Sequence, residues 1–84
     1  MSAGRRALQS GDFTSARQAF VEAVFMAPNS AEANQGVAFA AEKQGDAIYA
    51  IRYYCKAREL ANRGSSLAGE VDDSLERLGV ATCP

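Results

Sequence analysis

An all-α fold, a stack of antiparallel helix hairpins with about five helices, is what this sequence predicts, and three observations lead there. First, two stretches repeat at a fixed offset: Gly11-Asp12 returns as Gly45-Asp46, Ala16 as Ala50, Phe20 as Tyr54 and Ala23 as Ala57, each pair 34 residues apart. Offsets of this size mark units that bury their apolar faces only against neighbours. Second, the recurring residues suit helix hairpins. A glycine ending one helix takes the left-handed conformation, and an aspartate after it caps the next. Third, alanine is abundant, β-branched runs and strand alternation are absent, and of two prolines one is the last residue. At 84 residues the chain holds one domain.

The elements follow in order. A first helix is expected from Ser2 to Ser10, ending at the Ser10-Gly11-Asp12 turn. A second runs from Asp12 or Phe13 to Met26 and stops before Pro28, which lacks a backbone donor and restricts Ala27. On it Ala16 lies one turn before Phe20, so a small residue and an aromatic share a face on which another helix approaches closely. The third helix spans Ser30 to Gln44, and the fourth, from Asp46 to Asn62, repeats the arrangement with Ala50 and Tyr54. Arg63-Gly64-Ser65-Ser66 breaks the pattern, with Gly64 as C-cap and Ser65 or Ser66 as the next N-cap. A fifth helix from about Leu67 to Leu78 carries one apolar stripe, Leu67, Val71, Leu75 and Leu78, amid charged residues, as a cap with one wet face requires. The tail from Gly79 to Pro84 is expected to fray.

With these motifs the chain resembles the tetratricopeptide repeat family over about Gly4 to Asn62. Ala16-x3-Phe20 followed by Pro28 matches the second half of the family pattern, and Ala50-x3-Tyr54 matches it again, with Asn62 in place of the proline. Gly4 falls where the family glycine sits. The second unit's leading helix reads Asn34-x2-Val37-Ala38-x2-Ala41, where the family prefers bulkier residues or glycine. The resemblance implies a right-handed stack, with one repeat over about residues 1–29, a second over about 30–62 and a capping helix over about 66–79.

It also implies a concave groove lined by the first helix of each unit. Mapped onto this chain, the groove residues are Arg5, Leu8 and Gln9, then Glu32, Gln35, Phe39, Glu42 and Lys43. Phe39 is the anchor expected of an apolar contact that concentrates binding energy. Family members that clamp an acidic chaperone C-terminus use lysine, asparagine and arginine at set positions. Here those positions hold Gln35, Gly36, Phe39, Ser66 and Gly69, so that clamp is absent, while Arg5 and Lys43 are the cations left for an acidic ligand. A second surface is suggested by apolar residues beyond the needs of the repeat core, Val21, Phe25, Ile48, Tyr49, Tyr53 and Cys55, as a face for self-association.

Other chemistries find little footing. The chain has 9 basic and 10 acidic residues, a net charge of −1, and so no electrostatic footprint for nucleic acid. No histidine, glycine-rich phosphate loop or activated nucleophile is present, so neither catalysis, nor a cofactor, nor a metal is expected. No segment has the apolar length of a signal or a membrane span, which makes the cytoplasm the default compartment and leaves Cys55 and Cys83 expected as free thiols. The function expected is non-catalytic binding of another protein or peptide in the groove. The alternative is an assembly role, as a self-associating homo-oligomer or a segment of a longer array.

Overall fold

The computed structural model describes residues 2–83, and over them the chain forms five helices: α1 (Ser2–Ser10), α2 (Phe13–Met26), α3 (Ala31–Lys43), α4 (Ala47–Leu60) and α5 (Ser66–Arg77). No strand occurs among the described residues. Each helix packs on the next, and α5 also reaches α3.

The turns are built as their local chemistry demands. At the end of α1 the Gly11 and Asp12 amides donate to the Leu8 and Ala7 carbonyls, at 3.1 and 2.9 Å, with Gly11 at φ +80°. Asp12 then accepts from the Ser15 amide at 3.0 Å and caps α2. The same pair of bonds recurs at Gly45 and Asp46, with φ +84° and the Asp46 carboxylate on the Tyr49 amide at 3.2 Å. It recurs a third time at Gly79 and Val80, φ +82°, where Val80 donates to the Leu75 carbonyl at 2.9 Å. Gly11, Gly45 and Gly79 are successive at 34 residues, so α5 stands one period after α3.

Three expectations are corrected here. Helix α4 ends at Leu60 with Ala61 as its cap, and Gly64 supplies the positive φ of the following turn instead of the cap. Of the tail expected to fray, residues 79–83 lie against the core, with Pro84 outside the described residues, and the cysteines are not free: Cys55 and Cys83 form a disulfide. The reason lies at Gly79, whose left-handed backbone reverses the chain after α5 and lets Leu78, Val80 and Cys83 pack against the core along α4.

The core divides into two clusters that meet on α3. One gathers Ala16, Phe20, Val37 and Ala40; the other gathers Ala38, Ala41, Ala50, Tyr54, Ala57, Val71 and Leu75. The alanines let the helices close on one another, as the sequence suggested for Ala16 and Ala50, both fully buried. Phe20 is the large knob of the first cluster, and it fits because two helices lack side chains beside it. A Cβ on Gly4 would lie 2.7 Å from the ring and one on Gly36 only 2.3 Å. Buried Asn34 ties α3 to the preceding turn, its Nδ2 donating to the Ser30 and Pro28 carbonyls at 2.8 and 3.2 Å.

Candidate functional site

The stacking of α1, α3 and α5 produces a groove of about 280 Å³. Arg5 and Leu8 line it from α1, Glu32, Gln35, Gly36 and Phe39 from α3, and Glu70 and Ser74 from α5, with Phe20 and Tyr54 reaching its floor. Five of the eight residues named from sequence therefore meet in one depression. Phe39 is half-buried and belongs to neither core cluster, so its ring is committed to the groove wall. The Lys43 ammonium sits 5.2 Å from the centre of that ring, a cation–π contact on its rim.

The remaining groove candidates are engaged otherwise. Gln9 is exposed outside the depression. Glu42 serves as an internal strut: its carboxylate accepts from the Tyr54 hydroxyl at 2.8 Å and from the Arg77 guanidinium at 2.8 to 3.1 Å, linking α3, α4 and α5. Burial first, and the bond to Glu42 second, push the Tyr54 phenol well above its ordinary value. Arg5 pairs with Glu32 across α1 and α3, which neutralises the cation expected for an acidic ligand. A ligand thus meets an apolar slot beside Leu8 and Phe39, the Gln35 amide, the Arg5–Glu32 pair and, from α5, the Glu70 carboxylate. That surface suits an uncharged or amphipathic peptide side chain better than a bare carboxylate.

The residues assigned to an outward face fall into two groups. Tyr49 and Tyr53 stack at 4.9 Å between ring centroids, and the Arg17 guanidinium covers Tyr49 at 4.1 Å while bonding Gln44 at 2.9 Å, so these tyrosines serve the α2–α4 contact. Phe25 and Ile48, by contrast, are 88% and 79% exposed, and Val21 is also exposed. Met26, beside Phe25, is equally bare and was not singled out from sequence, although its place next to Phe25 at the end of α2 was there to be read. A wider depression of about 850 Å³ runs along the outer side of α4, past Ile48, Ile51, Arg52 and both cysteines.

Among the described residues no cluster of three or more His, Cys, Asp or Glu side chains could hold a metal, and no helix is long and apolar enough to cross a membrane. No protein-family model matches this chain, and no relative among curated proteins matches it.

Proposed function

We propose that this chain is a tetratricopeptide-like interaction module, without catalytic activity of its own, that holds a peptide or helix of another protein in the groove of α1, α3 and α5. The observation that carries this reading is Phe39. A large aromatic on the central helix joins neither core cluster and instead walls a groove together with Leu8 and Gln35. Side chains of this type, gathered beside an apolar slot, supply most of the energy in peptide recognition. The bound segment would insert an apolar side chain beside Phe39 and Leu8 and meet Gln35 and Lys43 at the rim.

The test is a pull-down from source lysate followed by titration of the captured partner against wild type and Phe39→Ala. Truncating the anchor should weaken binding by more than about 1 kcal/mol with the melting curve unchanged. Binding at full strength by the variant would remove the groove reading.

The exposure of Phe25, Met26 and Ile48 favours a second reading, self-association through the outward side of α2 and α4. Sedimentation distinguishes them, since Phe25→Ala would dissolve such an oligomer and Phe39→Ala would not. Cytoplasmic residence remains part of the proposal, and the disulfide weighs against it as a permanent bond there, because cytosolic thiols are kept reduced.

A further inference from the structure

We propose that the Cys55–Cys83 disulfide is a thiol-operated latch, a site of reversible exchange with a small thiol or dithiol, that fastens residues 79–83 as a strap over the outer face of α4. Four features of the molecule lead to it.

The bond is reachable. Both cysteines are half-buried and line the open depression along α4, and Cys83 also faces a second opening beside Arg58, Asp72 and Glu76.

Besides the disulfide, the packing of Val80 and Cys83 on the core is the strap's main hold. Val80 donates to Leu75, and beyond Val80 no backbone hydrogen bond ties the tail among the described residues; Ala81 and Thr82 are exposed.

Helix α5 does not need the bond. Val71 and Leu75 are buried in the second cluster, and the Arg77–Glu42 pair clamps the helix to α3. Cleavage therefore frees the strap and leaves the helices in place.

The surroundings favour the chemistry. Attack on a disulfide needs an approaching thiolate and releases another, both anions. Arg52, Lys56 and Arg58 line the depression with the sulfurs, against Glu59 there and Asp72 and Glu76 at the second opening beside Cys83. Arg58 is engaged by Asp72, which leaves Arg52 and Lys56 as cations with no ion pair to another described residue.

The repeat explains why the strap lies where it does. Cys83 stands 34 residues after Tyr49, and Ile51, Cys55 and Arg58 stand 34 after Arg17, Val21 and Val24 of α2. Tyr49 secures α4 on α2 by packing under Arg17. Cys83, at the position of Tyr49, secures the next segment on α4 by a covalent bond to Cys55, one turn beyond Ile51, the counterpart of Arg17, and a covalent bond of this kind is reversible by thiols. In the exchange a thiolate attacks one sulfur, giving a mixed disulfide and freeing the other cysteine. A second thiol then resolves it, so that the protein disulfide gains two electrons and two protons while two thiols become one disulfide.

The probe is dithiothreitol on the oxidised protein under native conditions, followed by alkylation and mass measurement. Reduction should rise in proportion to dithiothreitol concentration, with far-ultraviolet ellipticity retained. Amide exchange should then accelerate at 79–83 and stay slow at Ala41 and Ala57. Cys55→Ser with Cys83→Ser should reproduce that exchange pattern without reductant. A rate that levels off independently of dithiothreitol would mean reduction only through global unfolding and would overturn the latch. So would loss of helix on reduction, a strap as protected in the double variant as in the oxidised protein, or the lack of a disulfide after oxidation.

Discussion

Replacing Gly36 by alanine adds one methyl group on the central helix, and its cost can be worked from the packing of Phe20. The new Cβ would stand 2.3, 2.4 and 2.5 Å from Cδ1, Cε1 and Cγ of that ring, far inside contact distance. The ring has no room to retreat: it is 3% exposed, and on its other edge a Cβ at Gly4 would come within 2.7 Å. Overpacking of this kind costs about 1–3 kcal/mol, and a clamped aromatic belongs at the upper end. Against it, alanine is favoured over glycine in a helix interior by about 1 kcal/mol. The net is a loss of about 2 kcal/mol, a large share of the stability of so small a domain. Gly69 on α5 is the internal control, since nothing lies within 4 Å of the Cβ it would gain. Gly69→Ala should therefore stabilise by about 0.5–1 kcal/mol. Urea unfolding followed by circular dichroism compares the midpoints of both variants with wild type. Phe20→Leu in the Gly36→Ala background should recover part of the loss, because the two positions touch and their effects cannot add. A Gly36→Ala protein as stable as wild type would refute the close approach of α2 and α3 at this point.

Three further outcomes follow from the same packing. Ala16→Leu and Ala50→Leu each crowd a fully buried helix contact and should cost about 1–3 kcal/mol in denaturant melts; neutrality of both would place these alanines elsewhere. Deleting residues 67–84 uncovers Tyr54 and Ala57 beneath Val71 and Leu75, and should give an aggregated or largely unfolded product; undiminished helicity and an unchanged melting temperature would contradict it. The phenol of Tyr54 is harder to ionise folded than unfolded, so its contribution is fully present below the ordinary value of 10.0 and declines above it, as the unfolded phenol ionises while the buried one keeps its proton. Tyr54→Phe should shrink the alkaline loss of stability, measured as the midpoint difference between neutral pH and a pH above 10; an unaltered loss would assign it to other groups.

What could be read in the sequence was what depends on neighbours along the chain. Gly11-Asp12 and Gly45-Asp46 announce their turns because both the positive φ and the capping carboxylate are local. Gly79 obeys the same period, but Val80 stands where aspartate stood, so the local sequence lacks the capping signal of the first two turns. The role of Gly36 is invisible in its own segment, since it comes from Phe20, sixteen positions away on another helix. The family resemblance implies Glu42 as a groove residue. Only the docking of α5 brings Arg77 to it and turns it inward. The cysteine pairing is hidden for a related reason: the chain reversal that joins them is set by a glycine following a helix, not by the cysteines or their spacing.

Helix α3 contributes Val37 and Ala40 to one cluster and Ala38 and Ala41 to the other, so adjacent residues face opposite halves of the molecule. Neither half can then melt while the other stays whole, for each would strip one side of the same helix. A chain organised by nearest neighbours, which elsewhere permits piecemeal fraying, is here bound into one cooperative transition. The contacts that must form first are short in sequence, between helices joined by tight turns, which is the arrangement that folds quickly.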